Sequence, residues 1–228
     1  GTSYGEQVTF KTLEEVSATP EYVDLGLSVK WATMNIGATA VTDTGLYFQW
    51  GDTVGYTKEQ VEAGEKVFNW STYFDTTNSG NTFNKYDVYK LTVLESTDDA
   101  AYVHMGSEWR MPTIDEITEL IDNTTPTFID IQGNEFTQEE VQNGAISEMN
   151  LKGIRLTGTN GNSIFIPAAG GCDEAILSAI GYIGYLWSSS LYESNSMNGR
   201  YLYFVYDGYL YDSNYVRYYG LSVRGIKA

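Results

Sequence analysis

The chain carries one histidine, one cysteine and thirty acids, so the chemistry open to it is quickly bounded. A serine triad needs a histidine base and an orienting acid. His104 is the sole candidate, in the context Ala-Tyr-Val-His-Met, where a packed or half-exposed imidazole is expected. Ser188, Ser189 and Ser190 follow Trp187 like a nucleophile run, but no Gly-x-Ser-x-Gly elbow surrounds them. They are expected to form a hydrogen-bonded turn. Gly170-Gly171 has no lysine after it, so it is not a phosphate loop. A glycosidase needs two carboxylates roughly 5 to 9.5 Å apart across a cleft. Three adjacent pairs are available: Asp98 with Asp99, Asp115 with Glu116, and Glu139 with Glu140. Helix-start placement accounts for the first two, and simple exposure for the third. Asp207 and Asp212 flank an expected hairpin and offer oxygen ligands for calcium, although turn-forming duty is the expected role. Cys172 has no partner for an internal disulfide or a thiolate metal cluster. No catalytic residue and no metal ligand is therefore assigned, and calcium is the one cofactor left open.

Recognition chemistry is much better represented. Eleven of the nineteen tyrosines lie between Gly181 and Arg224, filled in with Ser, Asn, Asp and Gly and with no lysine. Tyrosine offers large, stiff, amphipathic contact at low entropy cost, and Ser, Asn and Gly offer adaptable hydrogen bonds. Alternation in a strand sends successive side chains to opposite faces. In Tyr201–Tyr206 it turns Leu202 and Phe204 inward, with Tyr201, Tyr203 and Val205 outward. Asp207-Gly208 reads as a two-residue hairpin. Tyr209-Leu210-Tyr211 returns with Leu210 inward. Asp212-Ser213-Asn214 reads as a second turn, and Tyr218 to Arg224 as a last strand with Leu221 and Val223 inward. Tyrosine is also simply a good strand residue, but outward rings without interleaved charge favour a binding face.

The elements that must carry this face follow from patterning. Tyr22 to Ala32 predicts two strands about a turn or bulge at Gly26, and Thr44 to Gly51 a short aromatic strand. Thr57 with Gln60, and Thr113 with Glu116, fit capping boxes. Ile114, Ile117, Leu120 and Ile121 make one helical face. Thr97 is expected to cap a short helix to Val103. Residues 71–88 read as loop. Phe128–Ile131 and Phe136 read as minor strands, and Thr137–Gln142 as a helical turn. Lys152–Leu156 and Ser163–Pro167 form an expected hairpin, and Ala168–Gly171 a tight corner. Trp31, Trp50, Trp70 and Trp109 are expected in the core. Trp187 is either core or the floor of the tyrosine surface, with core favoured. With no repeat and no linker, residues 21–228 read as a single α+β domain with helices segregated from antiparallel sheets. Residues 1–20 read as a tail or edge strand around Val8-Thr9-Phe10.

The formal charge of −17 disfavours nucleic acid and anionic membranes, which need a basic patch. No apolar run approaches the ~18 residues of a membrane span. The chain opens on Gly1 without a signal peptide, and a leader is expected to have been removed.

Several segments together resemble the Fibrobacter succinogenes major paralogous domain family. They are Val23–Ala32, Tyr47–Gly51, Trp109–Thr113, Gly161–Gly170, Trp187–Ser190 and Gly220–Arg224, in order from about residue 21 to the end. The resemblance implies a C-type-lectin-like fold close to the formylglycine-generating type. It also implies a secreted or cell-surface protein of gut-type Bacteroidetes, often a lipoprotein. Formylglycine-generating enzymes use a late pair of cysteines. Cys172 stands alone and before the Trp187 motif, so that activity does not carry over. The calcium-sugar triplets of C-type lectins (Glu-Pro-Asn, Gln-Pro-Asp, Trp-Asn-Asp) are absent as well. The same fold carries the variable proteins of diversity-generating retroelements, whose Tyr, Asn, Ser and Asp vocabulary matches Tyr192 to Tyr219.

The expectation is a non-enzymatic adhesion domain binding a protein or a carbohydrate through Tyr192, Asn195, Asn198, Tyr201, Tyr203, Tyr209, Tyr211, Asn214 and Tyr215. A polysaccharide hydrolase and a fimbria-like assembly module are the alternatives.

Overall fold

The computed structural model describes residues 21–75, 85–86 and 90–228, so the expected N-terminal tail and most of the 71–88 loop lie outside the described residues. In chain order the strands are β1 (Tyr22–Val23), β2 (Lys30–Ala32), β3 (Tyr47–Phe48), β4 (Thr124–Asp130), β5 (Glu135–Phe136), β6 (Leu151–Gly158) and β7 (Ser163–Pro167). They continue with β8 (Ala169–Asp173), β9 (Ile176–Ile180), β10 (Ile183–Leu191), β11 (Asn198–Val205), β12 (Leu210–Val216), β13 (Leu221–Ser222) and β14 (Ile226–Lys227). The helices are α1 (Lys58–Glu62), α2 (Ala100–Met105), α3 (Ile114–Asp122) and α4 (Gln138–Gln142). Every strand pair among the described residues is antiparallel, and the architecture is α+β. The sheets run β1-β2-β14, β3-β13, β5-β4-β6-β7, β8-β9 and β10-β11-β12.

Helix starts follow the capping chemistry of the sequence. Thr57 and Thr113 form the two expected capping boxes, and Thr137 with Glu140 forms a third. The cap of α2 is Asp99 rather than Thr97. Its carboxylate accepts from the Ala101 and Tyr102 amides at 2.8 and 3.0 Å, while Thr97 sits in a preceding 3-10 turn. Asp99 stands at the cap position, where one side-chain oxygen reaches both free amides, whereas Thr97 lies two residues earlier within the 3-10 turn. Helix α3 buries Ile114, Ile117 and Leu120, and Ile121 packs partly against the same core.

Two cores meet across the sheet β10-β11-β12. Leu186, Leu202 and Phe204 face a core shared with Ile117, Leu120, Phe128, Ile154 and Ile166. Trp187 and Tyr201 face another with Phe48, Trp50, Met111, Leu221 and Val223. Covering both faces removes any free choice of register, because a one-residue slip would exchange the two sets.

Four local expectations are corrected. Asp212-Ser213-Asn214 is not a turn. It continues β12 opposite Leu202, Tyr201 and Arg200, because Arg200 pairs with Asp212 and Asn198 donates to Asn214 across the strands. The Asp207-Gly208 hairpin has three connecting residues, Tyr206-Asp207-Gly208. The Gly208 amide donates to the Val205 carbonyl (3.0 Å) and the Val205 amide to the Tyr209 carbonyl (2.9 Å), with Gly208 at φ +89°. That is the type I turn with a left-handed third residue that such loops use. Ala169–Asp173 is a strand paired with β9 rather than a corner. Ser188–Ser190 is also strand rather than turn.

The segments behind the family resemblance close on one another inside the molecule. Trp50 Nε1 donates to the Ser188 carbonyl (2.8 Å), and Trp187 Nε1 to the Phe48 carbonyl (2.9 Å). The Ser189 amide donates to the Pro112 carbonyl (2.7 Å), and Ser190 Oγ accepts from the Ile114 amide (3.0 Å) at the start of α3. Tyr47 Oη donates to the Ala169 carbonyl (2.7 Å), and Leu221 pairs with Phe48. The β10–β11 register shifts between Trp187 and Leu191. The bulge leaves the Ser189 backbone free to bond Pro112 and Leu94 and the Leu191 amide to donate to Thr92, while Ser188 Oγ still donates to the Arg200 carbonyl of β11. These motifs are internal scaffolding.

Candidate functional site

Residues paired across antiparallel strands share a face. The register Tyr185↔Tyr203, Trp187↔Tyr201, Tyr203↔Tyr211, Tyr201↔Ser213 and Gly199↔Tyr215 therefore lays one aromatic face over β10, β11 and β12, with no charged side chain on it. Ring contacts run along it. Tyr209 meets Tyr211 (6.0 Å between centroids), Tyr211 meets Tyr203 (4.2 Å), and Tyr203 meets both Tyr201 (5.8 Å) and Tyr185 (6.2 Å). A second run leaves the far end of β12, where Tyr215 meets Tyr219 (4.7 Å), Tyr219 meets Tyr218 (6.3 Å), and Tyr218 meets Trp70 (4.9 Å). Tyr209, Tyr211 and Tyr215 are 55%, 40% and 45% exposed.

Two expectations about this face change. Tyr201 is buried, and Tyr203 is half-buried, because Trp187 and the second core rise beneath them; Val205 is buried too. Tyr201 is a floor rather than a displayed ring. Asn198 and Asn214 belong to the opposite face with Arg200 and Asp212, and they bond one another at 2.7 Å. Tyr192 is half-buried and lines a separate groove with Thr113, Asp115 and Arg200. Asn195 is exposed in the loop between β10 and β11, its Oδ1 accepting from the Met197 amide. Of the nine expected residues, Tyr201, Tyr203, Tyr209, Tyr211 and Tyr215 come together, and Tyr192, Asn195, Asn198 and Asn214 do not join them. The turn expected at Asp212-Ser213-Asn214 comes instead after Val216, where β12 ends.

Tyr185, Tyr218, Tyr219 and Trp70 belong to the surface without having been assigned to it. Tyr185 had a signal, since it stands two residues before Trp187 in one strand. Trp70, expected in the core, is half-buried at the end of the ring line, and nothing local marks it. Burial raises the phenol pKa values of Tyr185 and Tyr201. It lifts Tyr219 to about 12, helped by the Asp173 carboxylate. The hydroxyls therefore stay protonated and able to donate at any ordinary pH.

The other candidate chemistry is committed to structure. Asp98 accepts from Lys85 and from Tyr86 Oη (2.5 Å), and Asp99 caps α2 and accepts from the Met111 amide. Glu116 and Glu140 close capping boxes, so the third carboxylate pair is a helix start and not merely exposed. Asp212 is neutralised by Arg200, while Asp207 Oδ1 is buried without a hydrogen-bond partner. Among the described residues no group of three or more His, Cys, Asp and Glu is placed to hold a metal. Exposed His104 meets the Thr53 carbonyl through Nε2 (2.8 Å) and lies edge-on to Phe48. Cys172 is buried, and its thiol is pushed up to about 12 by that burial.

No protein-family model matches the chain, and neither a curated protein nor a solved structure matches it significantly, so the character of this face rests on its own chemistry.

Proposed function

We propose that the chain is a non-enzymatic binding domain that captures a protein or a glycan on its tyrosine face. The observation that supports this reading is the tyrosine face, where ring contacts run from Tyr209 to Tyr201 and again from Tyr215 to Trp70, and three tyrosines remain about half exposed. Rings of this kind stack on the apolar side of a sugar or pack into a protein partner while their hydroxyls keep a polar contact. Contiguous exposed apolar surface of this sort marks interaction sites on soluble proteins. The proposal extends to a C-type-lectin-like fold of the Fibrobacter succinogenes paralogous type and to a secreted or surface-anchored location.

A glycan and protein array probed with the chain tests the reading, with and without chelator. Capture of a ligand that Tyr209→Ala/Tyr211→Ala abolishes, with the variant still folded, supports the face. Capture unchanged in that variant refutes it.

A further inference from the structure

At one end of the aromatic face a cavity of about 90 Å³ is lined by Tyr185, Tyr201, Tyr215, Tyr219 and Leu221. We infer that this box receives a quaternary ammonium head group, such as the trimethylammonium of choline or of trimethylated lysine. The inference rests on the binding reading above and names the chemistry of one part of that surface.

The walls have the required form. The Tyr185 and Tyr201 rings stand 5.6 Å apart at 72°, and those of Tyr215 and Tyr219 stand 4.7 Å apart at 77°. Rings set nearly at right angles enclose a compact guest, whereas a sugar ring needs an open flat platform. The volume lies well below the roughly 300–1,000 Å³ of pockets that take whole small molecules, so a head group enters and the remainder of the ligand lies along the face. Leu221 and Tyr201 are buried and form the floor, and Tyr215, at 45% exposure, leaves the mouth open. The faces of aromatic rings carry negative potential and attract cations, most strongly when the cation is desolvated. No Lys or Arg lines the box. The carboxylate of Asp173 acts on Tyr219 and Tyr218, and the molecule carries a net charge of −17. A primary ammonium brings three N–H donors that need acceptors; a quaternary one brings none.

The test titrates the chain with choline, with trimethyl-lysine and with 3,3-dimethyl-1-butanol, the neutral isostere of choline, by calorimetry and tyrosine ring-proton shifts. At least one cation is expected to saturate the site about tenfold more tightly than the neutral alcohol, and the tighter cation identifies the source. Tyr215→Leu, at an open position where the fold tolerates change, is expected to remove the preference, and Tyr215→Phe to keep it. Equal binding of alcohol and cations, or no binding of either, overturns the box. Tyr209 and Tyr211 lie outside it. If their double alanine variant loses array capture while neither cation binds, the box fails and the binding face stands.

Discussion

The line of rings contains members that the fold needs and members that it does not, and alanine substitution separates them. Tyr201 is 7% exposed, packs on Trp187 at 5.8 Å and closes the second core. Emptying such a position costs about 3–5 kcal/mol, the range for large aromatic-to-alanine changes in cores. Tyr209 is 55% exposed, precedes β12 and touches only the edge of the line at 6.0 Å from Tyr211. It buries under half of a side chain whose full burial is worth roughly 1.5–3 kcal/mol, so Tyr209→Ala costs about 1 kcal/mol or less. With a urea slope near 2 kcal/mol per M, the midpoint falls by about 0.5 M for Tyr209→Ala and by about 2 M for Tyr201→Ala. Urea unfolding followed by far-ultraviolet circular dichroism reads both, provided the transition is two-state. Comparable midpoint shifts would mean that the outer rings hold the sheet together. The claim that they are held in reserve for a ligand would then fail.

Two predictions concern the scaffold. Ser190→Ala removes the acceptor of the buried Ile114 amide, and it is expected to lower stability by about 1–3 kcal/mol; the exposed Ser194→Ala serves as the control, and an equal effect of the two would discount the link between β10 and α3. The second concerns pH. Burial works against the ionised Glu116, but hydrogen bonds from Arg110 and Thr113 outweigh it and hold its pKa below the ordinary value. A depressed acid pKa contributes stability above the unfolded value of about 4.3 and loses it as pH falls through the folded one. Chemical unfolding in steps below pH 5 should therefore show a steeper loss in the parent than in Glu116→Gln, and parallel curves would contradict this assignment.

Features whose physics is local were legible in the residues alone. Capping boxes at Thr57 and Thr113 need only a hydroxyl and a carboxyl or amide three residues apart, and both helices begin where those residues stand. Alternation placed Leu202 and Phe204 in a core and left Tyr209 and Tyr211 in the open, since a strand separates its two faces wherever it lies. What alternation does not reveal is whether the second face is covered. Trp50, from far along the chain, joins Trp187 and Leu221 in the core that buries Tyr201, and that covering is a tertiary event. Likewise Asp212-Ser213-Asn214 has turn composition, and the Arg200 and Asn198 side chains across the ladder are what make a strand of it. Trp70 joins Tyr218, and Tyr185 closes on Tyr201 and Tyr219, by the same means. Residue types and spacing gave the composition of the recognition surface; which rings stand side by side, and which enclose a cavity, was decided by packing between segments far apart in the chain.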